Sequence, residues 1–181
     1  MGLHHIAIAT TRLRETHDFY TGAMGFTLVK IVRAWASEGG WSKHAFYDTG
    51  GGEFLAVWDL HVDGVPGDFD PAISRGLGLP AWANHIAFRA EDEADLDAKL
   101  ARILDHGHTA IEVDHGFCRS VYVHDPNKIM VEFCLDVRPF TEGERRAAER
   151  ELFDDAVEPE PEIEGVVHRP KERAARAGAG R

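Results

Sequence analysis

The apolar positions near the N-terminus first alternate, then follow a helical spacing, and then alternate again. "LHHIAIAT" alternates and contains β-branched residues, which predicts a strand. "TRLRETHDFYTGAMG" places Leu13, Phe19, Tyr20 and Met24 at helical spacing and ends at Gly25, which predicts a helix. "FTLVKIVRAWA", "SKHAFYDTG" and "EFLAVWDL" then read as strands separated by glycine-rich turns. The pattern therefore predicts a βαβββ module.

The same order of elements occurs a second time. "ANHIAFRA" predicts a strand, and "DEADLDAKLARILDHG" predicts a helix with acids in its first turn and Gly107 at its end. "TAIEV", "CRSVYVHD" and "KIMVEFCLD" predict three further strands. "HIAI" aligns with "HIAF", and "FLAVWDL" with "IMVEFCL". This internal repeat predicts an α+β fold in which two paired βαβββ modules form a curved sheet around a cavity.

The composition divides the chain into four segments. The first module covers 1–60, a polar connection rich in Pro and Gly covers 61–80, and the second module covers 81–137. In 138–181, "TEGERRAAERELFDDA" is typical of a short amphipathic helix. An acidic and then a basic run follow it, with almost no core-forming residues. We expect a solvated tail with one docked helix; a tail that lies across a dimer partner is the alternative.

Composition and charge narrow the function classes. A chain of 181 residues can form one well-cored domain or two modules that share a core. Its 20 Lys and Arg against 31 Asp and Glu give a formal charge of −11, which disfavours nucleic acid and anionic lipid as partners. No apolar run is long enough for a membrane span, and no signal peptide is evident, so we expect a cytoplasmic protein. We expect Cys118 and Cys134 to be reduced thiols.

Strand parity places three candidate metal ligands on matching faces. Successive residues of a strand point to opposite faces, so His5 shares a face with Ala7, and His85 shares one with Ala87. Glu132 would be a carboxylate in a buried strand, which is costly unless it is paired or bound to metal. A single strand histidine is more often a core or surface residue, but the repeat places two at the same position. Two imidazoles and one carboxylate would suit non-haem Fe(II), with Mn(II) or another divalent metal as an alternative.

The paired modules with "HHIAIATTRLRETHDFYTGAMGF", "NHIAF" and "DPNKIMVEF" resemble the vicinal oxygen chelate superfamily, over roughly 2–137. That superfamily includes glyoxalase I, methylmalonyl-CoA epimerase, fosfomycin and bleomycin resistance proteins, and extradiol ring-cleavage dioxygenases. In its metal-binding members the resemblance implies ligands on the first and last strands of the modules, where His5, His85 and Glu132 stand. The resemblance also implies a homodimer.

The resemblance to glyoxalase I raises the question of a fourth ligand. Glyoxalase I has a carboxylate on the last strand of its first module, and the repeat alignment puts Val57 at that position. A three-ligand site is therefore favoured. Asp59 and Glu53 are expected on the same face as Val57, so either could add a ligand or an acid–base group if the register differs.

"VDHGFCRSVYVHDPNKIMVE" is similar to the extradiol dioxygenase signature. The matching residues are His115, Val121, Tyr122, Asp125, Pro126 and Glu132, whereas Lys128 stands where the signature has Gly or Pro. The resemblance implies that His115 and Tyr122 donate hydrogen bonds to bound substrate. The acid–base histidine of such enzymes has no counterpart in "GGGEFLAV", where Glu53 is nearest, and His44 in "SKHAFYD" is the candidate for that role.

These observations predict an Fe(II)-dependent extradiol-type dioxygenase that cleaves a catechol-like aromatic with O2. His5, His85 and Glu132 would bind the metal, and His115, Tyr122 and His44 would be catalytic. Two alternatives stay open: glyoxalase- or epimerase-like chemistry, in which a metal polarises a carbonyl and a base moves a proton, and metal-independent ligand binding like that of bleomycin resistance proteins. Four tryptophans could line the cavity or fill the core: Trp35, Trp41, Trp58 and Trp82.

Overall fold

The computed structural model describes residues 2–156, 158 and 163–171. Its helices are α1 (Leu13–Asp18), which continues as a π-helical turn (Phe19–Ala23), α2 (Glu93–Asp105) and α3 (Glu142–Glu151), with a short 3-10 turn at Arg75–Leu77. Its strands are β1 (His5–Thr10), β2 (Thr27–Trp35), β3 (Gly40–Asp48), β4 (Phe54–Val62), β5 (His85–Arg89), β6 (Ala110–Asp114), β7 (Cys118–His124), β8 (Met130–Asp136) and β9 (Val166–His168). Within the described residues, no helix is long and apolar enough to cross a membrane.

The strands form two sheets with the same connectivity. Sheet A has the order β1-β4-β3-β2, and sheet B has the order β5-β8-β7-β6 with β9 added at its edge. In each sheet the first strand pairs in parallel with the last strand of its module, and the other neighbours are antiparallel. The structure therefore confirms the predicted α+β fold with a repeated βαβββ unit.

Both modules contribute to one hydrophobic core, which fixes their relative position. The Phe26 ring lies 4.8 Å from the Phe88 ring, and α2 packs against the π-helical turn that follows α1. The Arg102 guanidinium donates hydrogen bonds to the carbonyls of Ala23 and Met24. Because the helices cover one face of each sheet, the opposite face of each sheet is available for a functional site.

A buried carboxylate shapes the turn that leads into β8. Asp125 accepts hydrogen bonds from the amides of Asn127 and Ile129 and from the Tyr20 hydroxyl. Burial raises the pKa of Asp125. Lys128 in this turn has φ of 63°, a left-handed conformation that glycine adopts without strain. This conformation explains why a glycine is compatible with the corresponding place in the signature.

The C-terminal segment contains one element that the sequence pattern did not predict. Helix α3 begins with a capping box between Thr141 and Glu144, and none of its residues is buried. Strand β9 then pairs antiparallel with β6, so this segment returns to the sheet of its own chain. The remainder of the predicted solvated tail, at 157, 159–162 and 172–181, lies outside the described residues.

Candidate metal centre

One face of sheet B, which we call the Glu132 face, carries the predicted polar residues. Cross-strand pairs share a face, and the pairs Ala87–Glu132, Glu132–Tyr122 and Tyr122–Ile111 run across four strands. His85 lies on the same face as Ala87 by alternation. The opposite face carries buried core residues such as Ile86, Val121 and Val131. Hydrophobic burial on that side therefore sets the direction of the polar side chains on this one.

His85 and Glu132 form a close pair on the Glu132 face. The Nε2 atom of His85 lies 3.1 Å from Oε2 of Glu132, whose side chain is only 5% exposed. The other ring nitrogen, Nδ1, lies 2.9 Å from the Trp82 carbonyl, which can only accept, so Nδ1 carries a proton. In the neutral imidazole, Nε2 then presents a lone pair to a carboxylate oxygen. Such an arrangement is favourable when a proton or a metal ion lies between the two groups.

The segment before β5 is held in place by a side-chain clasp. The Asn84 amide donates to Ser74 Oγ at 2.7 Å, and the Ser74 hydroxyl donates to the Asn84 carbonyl at 3.2 Å. The Asn84 side chain also donates to the Ile73 carbonyl. These contacts fix the backbone around Trp82 and therefore the orientation of His85. Sequence reasoning missed both clasp residues, because their pairing across a connection leaves no periodic signal.

His115 and Tyr122 form a second pair beside the first. His115 Nε2 lies 3.1 Å from the Tyr122 hydroxyl, and the centroid of the Tyr122 ring is 6.0 Å from that of His85. Burial raises the pKa of Tyr122 to about 12, and the nearby Glu132 acts in the same direction. The hydroxyl therefore stays protonated at neutral pH and remains available as a hydrogen-bond donor. The structure thus brings four of the predicted site residues together.

His5 lies elsewhere, on the corresponding face of sheet A, which we call the His5 face. Its ring centroid is 6.3 Å from that of His44 and 5.7 Å from that of Phe46, and its Nδ1 lies 2.8 Å from Nδ1 of His4. Among residues 2–156, 158 and 163–171 of one chain, no group of three or more His, Cys, Asp or Glu residues is placed to hold a metal ion. The predicted convergence of His5 with His85 and Glu132 is therefore not found within a single chain.

His44 is a desolvated histidine on the His5 face. Its ring stacks on Trp58, with centroids 3.7 Å apart and planes 7° from parallel. Its Nε2 atom is buried and has no hydrogen-bond partner in the part of the chain that the structure describes. Burial lowers the pKa of His44, and the neighbouring His5 acts in the same direction. At neutral pH this imidazole is neutral and can accept a proton.

The register corrects the repeat alignment by one residue. Ala7 pairs with Ala56 in sheet A as Ala87 pairs with Glu132 in sheet B, so Ala56, and not Val57, is the counterpart of Glu132. A fourth protein ligand is absent from that position in either alignment.

The structure also gives the positions of the two other candidate carboxylates, Asp59 and Glu53. Asp59 is two residues from Val57 on the opposite face from His5, where it pairs with Lys43 and His61. Glu53 immediately precedes β4 and is exposed, and it lines the same cavity as His5. Asp59 is thus not available to the His5 face as a ligand or acid–base group.

A groove of about 720 Å³ runs between the free edges of β1 and β5. This volume is in the range of small-molecule sites. Its lining includes His5 and Phe54 from sheet A together with Ala87, Arg89 and Cys134 from sheet B. The groove therefore follows the module boundary beside His5, and its lining does not include His85 or Glu132.

The four tryptophans do not line one cavity. Trp58 stacks on His44, whereas Trp41 stacks on His61 with ring centroids 3.9 Å apart. Trp35 and Trp82 are exposed. Of the four, only Trp58 is in contact with a predicted site residue through its ring.

Comparison with known proteins agrees with this architecture. A family model described as the Glyoxalase/Bleomycin resistance protein/Dioxygenase superfamily matches residues 2–133. The curated proteins include no significant match to the chain.

Solved structures give the same fold at low sequence identity. A glyoxylase/bleomycin resistance protein/dioxygenase domain from Frankia sp. EAN1pec is 18% identical with a TM-score of 0.56, covering 75% of this chain and 98% of its own. Lactoylglutathione lyase from Agrobacterium tumefaciens is 19% identical with a TM-score of 0.51, covering 74% and 92%. A point mutant of the fosfomycin resistance protein FosX from Listeria monocytogenes, complexed with Mn(II) and a dihydroxypropylphosphonic acid, is 20% identical with a TM-score of 0.51, covering 80% and 97%.

The family match spans well over half of the 181 residues, and the repeated module with its His and Glu on first and last strands agrees with it. The chain therefore belongs to the Glyoxalase/Bleomycin resistance protein/Dioxygenase superfamily, the vicinal oxygen chelate superfamily.

Proposed function

We propose that the protein is a metal-dependent enzyme that cleaves a catechol-like aromatic with O2, in the manner of extradiol dioxygenases. The observation that carries the proposal is the placement of two pairs side by side on the Glu132 face, His85 with Glu132 and His115 with Tyr122. The first pair has the donor types of a metal site, and the second has the hydrogen-bonding groups that a chelating substrate requires.

The donor set fits a divalent metal. His85 is oriented through Nδ1 by a backbone carbonyl, as metal-bound histidines commonly are, and Glu132 is a buried carboxylate with no Lys or Arg among its ion-pair partners in the described part of the chain. Two imidazoles and a carboxylate suit Fe(II) best, with Mn(II) as the alternative; the Listeria protein was solved with Mn(II). When bound, the metal would supply Lewis acidity toward the substrate oxygens and a site for O2.

We infer that the third ligand, His5, comes from a second copy of the chain. His5 is separated from the Glu132 face within one chain, so a homodimer would be needed to complete the ligand set. Strand β2, at the free edge of sheet A, is exposed along its whole length. It carries exposed apolar side chains such as Val32, on the His5 face, and Trp35. Apolar edge strands of this kind favour coverage by a partner.

Tyr122 and His44 would have different roles in the reaction. Tyr122, held by His115, would donate a hydrogen bond to a substrate oxygen and stabilise the negative charge that develops there. His44, which lies on the same face as His5, would take the substrate hydroxyl proton at its buried Nε2 atom. The aromatic surroundings of His44 would exclude water from this transfer.

Oxygen uptake tests the proposal. We expect protein loaded anaerobically with Fe(II) to consume O2 when mixed with members of a catechol panel and to release a yellow ring-opened product. His85→Ala should abolish uptake, whereas His106→Ala, which changes an exposed histidine at the end of α2, should not. Stoichiometric metal binding without uptake for any catechol would rule out the dioxygenase reaction.

The desolvated His44 favours a second candidate, proton transfer without O2. A neutral imidazole whose buried nitrogen has no hydrogen-bond partner among the described residues is suited to remove a proton beside a metal-polarised carbonyl, as in glyoxalase- or epimerase-like chemistry. This candidate predicts solvent deuterium incorporation next to a substrate carbonyl, loss of that exchange in His44→Gln, and no O2 consumption. The absence of exchange together with rapid O2 uptake would exclude it.

A further inference from the structure

We propose that strand β9 extends the face of sheet B on which the substrate binds, and that Val167 provides a subsite for an apolar substituent of the substrate. The inference rests on the proposed function, because it takes the Glu132 face as the place where a chelating substrate binds. It adds the substrate class: a molecule with two adjacent oxygens at one end and an apolar group at the other.

The strand register places Val167 in line with the metal pair. Glu132 pairs with Tyr122, Tyr122 pairs with Ile111, and Ile111 pairs with Val167. Directly opposed residues share a face, so these four side chains form one row across sheet B. With strands about 4.8 Å apart, Val167 lies roughly 10 Å from Tyr122 and roughly 14 Å from Glu132. The row is about as long as an aromatic ring with a substituent of several carbons.

The chemistry of this row changes from polar to apolar. Glu132 and Tyr122 offer a carboxylate and a hydroxyl, whereas the next two positions are Ile111 and Val167, which are 39% and 54% exposed. These two apolar side chains continue directly from the groups that would hold the substrate oxygens. A substrate anchored at Glu132 would therefore cover Ile111 and Val167 if it carried an apolar group on the far side of its ring.

Contacts on both of its faces hold strand β9 against β6, so it can provide a fixed surface for a substrate. On the Glu132 face, Gly165 lies so close to β6 that an added Cβ would come within 2.7 Å of Ile111 Cγ2. On the opposite face, His168 Nε2 lies 2.9 Å from Glu112 Oε2, and Glu112 also pairs with Arg119. The backbone pairing of β9 with β6 completes the attachment.

Val166 provides a matched control for Val167. The two valines are adjacent in β9 and have similar exposures, 59% and 54%, yet they point to opposite faces because Val166 pairs with Glu112. Val167→Asp places a charge in the proposed subsite, whereas Val166→Asn places a polar side chain outside it without setting a second carboxylate opposite Glu112. Val167→Trp is a second variant that fills the subsite without adding charge.

The test is anaerobic calorimetric binding of catechol and 4-alkylcatechols from methyl to hexyl to the full chain loaded with Fe(II). We expect the affinity of the wild-type protein and of Val166→Asn to rise with alkyl length by up to about fourfold for each buried methylene. Val167→Asp should remove this rise while it keeps the affinity for catechol itself. Val167→Trp should keep the rise for methyl and lose it for longer chains.

Three other outcomes would overturn the inference, and they can be told apart. Equal affinity of the wild-type protein across the series would exclude the subsite and leave the proposed function intact. Binding of no catechol at all would exclude the proposed function as well. Dissociation of the dimer by Val167→Asp in sedimentation, with an unchanged alkyl dependence, would show that a second copy covers Val167.

Discussion

At the scale of single residues, the buried carboxylate of Glu132 is the group most directly tied to the proposed chemistry. Its ion-pair partner in the described chain is His85, which is itself anchored to the Trp82 carbonyl. A buried charge that is only partly compensated is costly, so under the proposed function we expect this site to bind a cation. Removal of the charge should therefore lower the affinity for a metal ion without lowering the unfolding free energy of the metal-free protein.

We expect Glu132→Gln to lower divalent-metal affinity by about 100-fold or more, because the amide keeps the shape but not the charge. The unfolding free energy of the metal-free protein should be unchanged or slightly higher, since a buried charge is lost. Equilibrium dialysis and urea unfolding measure the two effects. Glu149→Gln, on the exposed helix α3, is the control and should change neither quantity; equal metal affinity of Glu132→Gln and wild type would contradict the assignment.

We expect Lys128→Gly to stabilise the protein by about 0.5–1 kcal/mol. Lys128 is held at φ of 63°, and relief of the left-handed strain should exceed the entropy that glycine loses on folding. Urea unfolding of the metal-free protein measures the change. Lys128→Ala removes the same charge and keeps the strain, so a gain in that variant as large as in Lys128→Gly would assign the effect to charge.

At the scale of elements, the attachment of β9 depends on a charged network on the face opposite Glu132. Glu112 on β6 contacts Arg119 on β7 and His168 on β9, and Arg119 also contacts Glu93 on α2. The hydrogen bond from Arg119 holds the pKa of Glu112 below its usual value, and His168 acts in the same direction. Edge strands with few pairs are the first to open, so this network should determine how long β9 stays docked.

The lowered pKa of Glu112 gives a pH prediction. A carboxyl whose pKa is lower in the folded state adds stability that is complete above its ordinary pKa of 4.5 and is lost as pH falls through the lower folded value. Wild type should therefore be more stable than Glu112→Gln at neutral pH. The difference should begin to shrink as pH falls below 4.5 and vanish once pH is below the lowered folded value. Unfolding curves across this range measure it, with Glu149→Gln on α3 as control; a difference that persists in strong acid would contradict the charge network as its source.

At the scale of the whole molecule, the position of His5 decides how a complete site can be assembled. The two modules share one core, yet they leave the His5 face and the Glu132 face without a common three-ligand group in the described chain. Pairing of two copies would bring the His5 face of one onto the Glu132 face of the other. A closed twofold dimer of this kind would contain two equivalent sites.

Mixing two inactive variants tests this assembly. His5→Ala and Glu132→Ala should each lose metal binding, but a mixed dimer would contain one site with both residues intact. After unfolding and refolding together in equal amounts, about a quarter of the wild-type metal sites should return, because half of the dimers are mixed and each has one intact site. No recovery, with mixed dimers present by native mass spectrometry, would show that each site forms within one chain.

The sequence alone was sufficient for the fold and for the face of the sheet on which His85 and Glu132 lie. Period-two alternation, a helical spacing and their repetition report hydrophobic burial along the local chain, so they predicted the two βαβββ modules and the direction in which His85 and Glu132 point. The predicted register was wrong by one residue in the first module, where Val57 was aligned with Glu132. In a continuous apolar run the sequence does not show which residues point to which face of the strand.

Only the tertiary structure decided which residues meet. The return of β9 to β6 joins segments far apart in the chain. The separation of His5 from Glu132 depends on how the two modules pack, and the clasp of Ser74 with Asn84 closes an irregular connection. Such contacts depend on how the modules pack through their shared core and on backbone hydrogen bonding at a free sheet edge, and neither leaves a periodic trace in the sequence. The sequence thus determined the elements and their faces, whereas packing determined the distances between the groups that would carry out the chemistry.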